Sequence, residues 1–266
     1  GTGGDELVGG YPSFTEWPRA RMAASLLGWL PDRLLRFAGH SASRVLMGQA
    51  STVYPQTRWG KLGDMLATRG NLPAMYQVSY GLFSREFIDT LQLRPAHNIR
   101  WGLHPEQCAE LAERIRGEPE LAAISSLEAY SFLGERLLRD TDAASMAVSL
   151  EVRVPFLDHV FVEALAGMRE TERFQPLGRK QLLRSLVADQ LDPALFDREK
   201  AGFELPLAVW CRRQLAGRLS QTFRDINLAH AVGLNAETVG RLWQAFDKGG
   251  PGIYWSRIWR LYVLMT

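Results

Sequence analysis

Residues Pro105 to Gly117 read PEQCAELAERIRG, which places Cys108, Leu111, Ala112 and Ile115 at i, i+3, i+4 and i+7. That spacing gathers apolar side chains on one face of a 3.6-residue helix; Pro105 suits a first helical position and Gly117 a stop. The same reading extends outward to SSLEAYSFLGERLL (125–138), to HVFVEALAG (159–167) with Asp158 as its cap, and to GRKQLLRSLVADQL (178–191) ahead of Asp192-Pro193. It continues through LPLAVWCRRQLAG (205–217), NAETVGRLWQAFDKGG (235–250) and a last segment in which Trp255, Ile258, Trp259 and Tyr262 share one face. The predicted class is therefore mainly α. Only short pieces such as SRVLMG (43–48) have strand character, and they fit helix turns as well. From Gln49 to Gly63, QASTVYPQTRWGKLG, the Gly, Pro, Ser and Thr residues break the period and predict a surface loop or lid.

A chain of 266 residues with 46% apolar content forms one large domain or two ordinary ones and buries a sizeable core. Its 31 Lys and Arg against 29 Asp and Glu leave a formal charge of +2. That balance argues against nucleic acid or an anionic membrane as the default partner. No apolar run approaches the ~20 residues that span a bilayer, and the first residues show no basic n-region followed by an apolar h-region. Cys108 and Cys211, far apart and without a C-x-x-C partner, read as reduced thiols of a cytoplasmic protein.

Three stretches carry candidate chemistry. In GTGGDELVGGY (Gly1 to Tyr11), glycines at 1, 3, 4, 9 and 10 surround Asp5 and Glu6. Glycines let backbone N–H groups converge on an anion, while a carboxylate reaches phosphate only through a hard cation such as Mg²⁺. A tight turn leading into a helix with an acidic first turn explains the same residues without any ligand. The second stretch runs from Leu137 to Asp158, where Arg139, Asp140, Asp142, Glu151, Arg153 and Asp158 alternate with apolar residues. Burial there requires pairing, and a structural ion-pair network is one reading. Glu151 and Arg153 are expected to point apart and not to bridge each other. The third stretch is GRKQLLR (178–184) with REKAGFELP (198–206), in which Gly178 opens a helix whose first turn carries Arg179 and Lys180. Cations at that helix end invite an anion, or are solvated surface groups.

Together these motifs resemble the synthetase domain of the glutamine-hydrolysing asparagine synthetases and their relatives. That family carries, in order, S-G-x-G-x-D-E-x-F-G-G-Y, D-x-x-S-M-A-x-S-L-E-x-R-x-P-F-L-D, G-K-x-x-L-R and R-x-K-x-G-F-x-x-P. Here they read GTGGDELVGGY, DAASMAVSLEVRVPFLD, GRKQLLR and REKAGFELP. The motif resemblance runs from Gly1 to about Trp210. It implies a reaction in which ATP adenylates the carboxylate of aspartate, releasing pyrophosphate, and ammonia from glutamine displaces AMP. It assigns Asp5, with Glu6 beside it, to Mg²⁺ on the pyrophosphate, and Lys180 to the oxygen bridging the α and β phosphates. Gly3 and Gly4 would line the pyrophosphate, and Arg153 and Asp142 would lie near the substrate or hold the pocket together. The implied fold is a helical C-terminal lobe of an α/β PP-loop synthetase domain whose parallel sheet lies mostly upstream, with residues 1–266 as its C-terminal part. A homodimer is compatible with it.

Three departures accompany the resemblance. The family's S-G-G-x-D-S phosphate loop is absent from these residues, as is the glutaminase domain, so the segment by itself is expected to lack synthetase activity. Thr2 stands where well-studied members carry a carboxylate, and a hydroxyl does not act as a base near neutral pH. A β-lactam-synthetase-like or peptide-cyclising ligase with another nucleophile therefore stays open. So does a non-catalytic helical interaction module, which has no reason to bring Asp5 to Lys180.

Overall fold

The computed structural model describes residues 2–27, 29–31, 33–35, 37, 41, 60–94, 99, 101–192 and 205–266. Among them every regular element is helical, and Gln92 and Leu234 form an isolated antiparallel bridge. The mainly α expectation holds. The chain divides into two units, the first made of Gly1–Met22, Asn71–Tyr76 and Leu103–Ala201, the second of Ala23–Gly70, Gln77–Gly102 and Gly202–Thr266.

In the first unit, the helix Pro105–Arg114 has Pro at its start and Leu111 buried, as its spacing predicts. Residues Glu120–Leu127 continue without a break through a π-helical stretch, Glu128–Leu138, into Arg139–Met146. The predicted helix over 125–138 thus exists, but its middle is wound more widely than a 3.6-residue period. After a short 3₁₀ turn at Pro155–Leu157, Asp158 caps His159–Ala166 by accepting the Val160 N–H at 3.0 Å. Helix Glu170–Phe174 follows, and then Gln181–Val187. This last helix begins at Gln181, not Gly178, because residues 178–180 form the turn that leads into it. Leu7, Val8 and Leu165 are buried, with Leu157, Phe161 and Leu183 packed on them. The glycine loop is thereby part of the core.

The second unit is organised around Leu219, Phe223, Val239, Leu242, Trp243, Phe246, Ile258 and Leu261. Ser84, Asp225 and Asn235 each cap a helix with a side-chain oxygen, which fixes where those helices start. In the final helix, Trp255–Met265, the buried stripe is Ile258, Leu261 and Met265, while Trp259 is 38% exposed. The expected face is rotated: i, i+3 and i+7 lie inward, and Trp255 and Tyr262 only flank the core. Cys108 and Cys211 are both reduced thiols, and burial pushes the Cys211 thiol above its ordinary pKa.

Two loop expectations meet the structure only in part. Residues 43–48 and 49–59 lie outside the described residues, and the described end of the second stretch is not surface. Lys61 there is 6% exposed and donates from Nζ to the carbonyls of Val78 (2.7 Å), Ser79 (3.0 Å) and Gly81 (2.7 Å). An ammonium that spends all three hydrogens on the open end of helix Leu72–Tyr80 is satisfied without water, which lets a lysine be interior.

Candidate active site

The opening loop is a single tight turn. Gly3 sits at φ 98°, which L side chains rarely adopt, and a Cβ there would come within 2.9 Å of Leu157 Cδ2. From it the short helix Gly4–Leu7 departs, and the Gly10 N–H closes the turn on the Asp5 carbonyl at 2.8 Å. All three sequence stretches meet here. Phe156 and Leu157 pack on Gly3 and Gly4, Leu183 packs on Gly4, and the Gly178 N–H donates to the Gly9 carbonyl at 3.1 Å.

The charged centre of this junction is Asp5 and Lys180. Lys180 Nζ lies 2.9 Å from Asp5 Oδ1, with the two side chains 32% and 20% exposed. Gly10 is the wall behind them: a Cβ at that position would fall on the Asp5 carboxylate and 2.8 Å from Lys180 Cε. The backbone of Lys180 is left-handed, φ 49° and ψ 44°. A non-glycine residue there costs about 1–3 kcal/mol, whereas an ion pair this accessible contributes under about 1 kcal/mol. The pair therefore does not by itself repay the conformation. The surrounding packing holds it.

Glu6 has a different environment from Asp5. It is 1% exposed, its Oε1 accepts the Tyr11 hydroxyl at 2.8 Å, and its backbone carbonyl accepts the Ser125 hydroxyl at 2.8 Å. Burial first, then the hydrogen bond to Glu6 and the nearby charges of Asp5 and Glu128, push the Tyr11 hydroxyl far above its ordinary pKa. Tyr11 is a neutral donor at any physiological pH. Thr2 is exposed at the mouth of the turn.

Arg153 and Asp142 have other surroundings. Arg153 Nε bridges Glu151 Oε1 at 3.0 Å with side chains 83% and 72% exposed, contrary to the expectation that they diverge. The stretch 150–154 is non-helical, and on extended chain residues i and i+2 lie on the same side, so the pair meets. Asp142 is exposed in the first turn of Arg139–Met146, where its carbonyl accepts the Ser145 hydroxyl at 3.3 Å. REKAGFELP lies outside the described residues up to position 204.

Sequence spacing missed Arg173 and Ser125. Arg173 Nε donates to the Leu7 carbonyl at 2.8 Å and its Nη2 to Ser125 Oγ at 2.9 Å. Burial holds its guanidinium somewhat below the ordinary pKa, against Glu118 and Glu170, which favour the charge. A single Arg in TERF gives no periodic signal.

The family model described as asparagine synthase matches residues 1–266. The chain belongs to the asparagine synthase family. The match runs to the last residue, well past Trp210, where the recognisable motifs end. Similar curated proteins include putative glutamine-hydrolysing asparagine synthetases of Mycobacterium bovis and Mycobacterium tuberculosis, 26% identical over 274 aligned residues. These alignments cover 100% of this chain and 38% of the relatives. Glutamine-hydrolysing asparagine synthetase 1 of Bacillus subtilis is 24% identical over 217 residues, covering 81% of this chain and 31% of the relative. The chain thus spans less than two-fifths of the length of the relatives it matches. No solved structure matches it.

Among the described residues no three His, Cys, Asp or Glu side chains converge as a metal cage, and no helix is long and apolar enough to cross a membrane. One accessible carboxylate beside an ammonium is too few ligands to hold a hard cation alone. It fits a magnesium ion that arrives with phosphate oxygens of its own.

Proposed function

We propose that this chain supplies the pyrophosphate end of the site of an ATP-dependent amide ligase of the asparagine synthetase type. The observation that carries this reading is the Asp5–Lys180 pair at 2.9 Å against Gly10, with Lys180 in left-handed backbone. In the proposed reaction, a carboxylate oxygen of aspartate attacks the α-phosphorus of ATP. The bond from that phosphorus to the α–β bridging oxygen breaks, and pyrophosphate leaves with the electron pair. Ammonia derived from glutamine then attacks the activated carbonyl carbon, AMP leaves, and the nitrogen loses a proton. Lys180, released from Asp5, neutralises the charge that grows on the bridging oxygen, a contribution made chiefly in the transition state. Asp5 would hold Mg²⁺, which would supply charge neutralisation on the phosphates. Gly3, Gly4 and Gly10 keep the backbone close enough for those oxygens to enter.

Glu6, turned into the interior, serves this reading through Tyr11 and not as a metal ligand. Arg153 and Asp142 retain a proposed role at the carboxylate substrate, Arg153 by its planar fork. A cytoplasmic enzyme of asparagine biosynthesis is the setting this implies. Thr2 favours a second reading in which the same adenylation precedes attack by another amine, because an exposed hydroxyl does not take the proton that ammonia must lose. Product analysis with ammonia and with larger amines separates the two. In the full-length protein, Asp5→Asn is expected to shift the Mg²⁺ titration of pyrophosphate release to higher concentration, with the smaller effect at saturating metal. An unchanged titration removes Asp5 from the metal.

A further inference from the structure

Helix Glu170–Phe174 packs beside the opening loop without supplying a reacting group. Phe174, 2% exposed, packs on Phe14 with ring centroids 5.4 Å apart, and a Cβ at Gly9 would lie 3.2 Å from its ring. Glu170 accepts the Ala122 N–H at 2.8 Å, which ties the same helix to Glu120–Leu127. Arg173 then forks. Its Nε holds the Leu7 carbonyl and its Nη2 holds Ser125 Oγ, while the Ser125 hydroxyl proton goes to the Glu6 carbonyl. Two consecutive carbonyls, those immediately after Asp5, are thus fixed by one guanidinium and one hydroxyl. A few residues on, the Gly178 N–H fixes the Gly9 carbonyl at the far side of the same loop.

We infer that Arg173 is a positioning residue for the adenylation step: through Ser125 and the Glu6 and Leu7 carbonyls it sets the register of Asp5 against Lys180. The inference rests on the proposed ligase reading of that pair. The charge-assisted hydrogen bonds of Arg173 also stabilise the fold, a contribution that acts equally whether or not Lys180 is present and that unfolding reads. A misplacement of about 1 Å in a reacting constellation, by contrast, costs on the order of 10²-fold in rate. Lysine cannot replace Arg173, because a single ammonium lacks the planar fork that reaches two acceptors in fixed directions.

The test is a double-mutant cycle in the full-length protein, read as kcat and KM for ATP in pyrophosphate release. Arg173→Met is expected to lower kcat by roughly 10- to 100-fold while KM for ATP changes by less than about twofold. Arg173→Lys should recover little of that loss. In a Lys180→Ala background, Arg173→Met should lower kcat by less than about threefold, because the alignment it maintains no longer has a target. Ser125→Ala removes the shared hydroxyl and leaves the cation, and should cost roughly 3- to 10-fold in the wild type and little in Lys180→Ala. If Arg173→Met does not fold, the Ser125→Ala cycle decides. The same fold-loss in both backgrounds, or no loss in either, overturns the positioning role and leaves the ligase reading intact. A silent Lys180→Ala overturns the ligase reading itself, and the inference with it.

Discussion

Lys180 and Gly10 show how a single position carries chemical weight. Lys180 stands at the start of helix Gln181–Val187, where a cation faces the positive end of the helix, in a backbone conformation that most residues avoid. Asp5 relieves the first cost, and the packing of Gly178 and Leu183 on the opening loop imposes the second. Gly10 is needed for space, since the Asp5 carboxylate and the Lys180 stem occupy the volume of any Cβ. Gly10→Ala in the full-length protein should therefore fold yet lower the rate of pyrophosphate release by roughly 10- to 100-fold, by pushing the pair apart. Thermal unfolding and rate measured on one preparation check this, and unchanged activity would show that the pair tolerates displacement. Asp5 and Lys180 were legible as candidates because charged residues in glycine-rich or turn sequence stand out. Glu151 and Arg153 were misread because, on extended chain, residues two apart fall on the same side and meet.

At the scale of elements, capping determines what is inside. Helix Leu72–Tyr80 ends on the Lys61 ammonium, which reaches back from an irregular stretch that reads as surface. Burial lowers the Lys61 pKa to about 8 from its ordinary 10.5; Arg257 adds to the fall and Asp64 opposes it. Because the folded pKa lies below the unfolded one, the unfolded chain binds more protons between these values. Stability from this group is lost as pH falls through about 8 and is fully present only above about 10.5. Lys61→Met should destabilise the protein by about 1–3 kcal/mol, since three carbonyls lose their donor. It should also abolish the wild type's relative gain in stability between pH of about 8 and about 10. Urea unfolding of both proteins across that range checks the slope, and parallel curves would contradict it. Helix Pro105–Arg114 was legible because both ends carry their own stop signals and Leu111 fixes its inner face. The π-helical winding of Glu128–Leu138 was not, since a switch from i→i+4 to i→i+5 backbone hydrogen bonding has no residue signature of its own. Arg173 was hidden for a different reason: its partners are backbone carbonyls, which have no sequence identity.

For the molecule as a whole, the family match extends over all 266 residues, and the helical class follows from local periods repeated along the chain. The site was legible in its parts and not in its assembly. Motif order named the glycine loop, the PFLD turn and Lys180, but only tertiary packing brings positions 3, 157 and 180 to one junction. The central claim is that Lys180 acts on the leaving pyrophosphate. The most direct measurement is pyrophosphate release by the full-length protein with Lys180→Ala, alongside nucleotide binding by the same variant. The account predicts a fall in the adenylation rate on the order of 10²- to 10³-fold, the range for one preorganised electrostatic contact, with ATP affinity nearly unchanged. An adenylation rate equal to that of the wild type would contradict it.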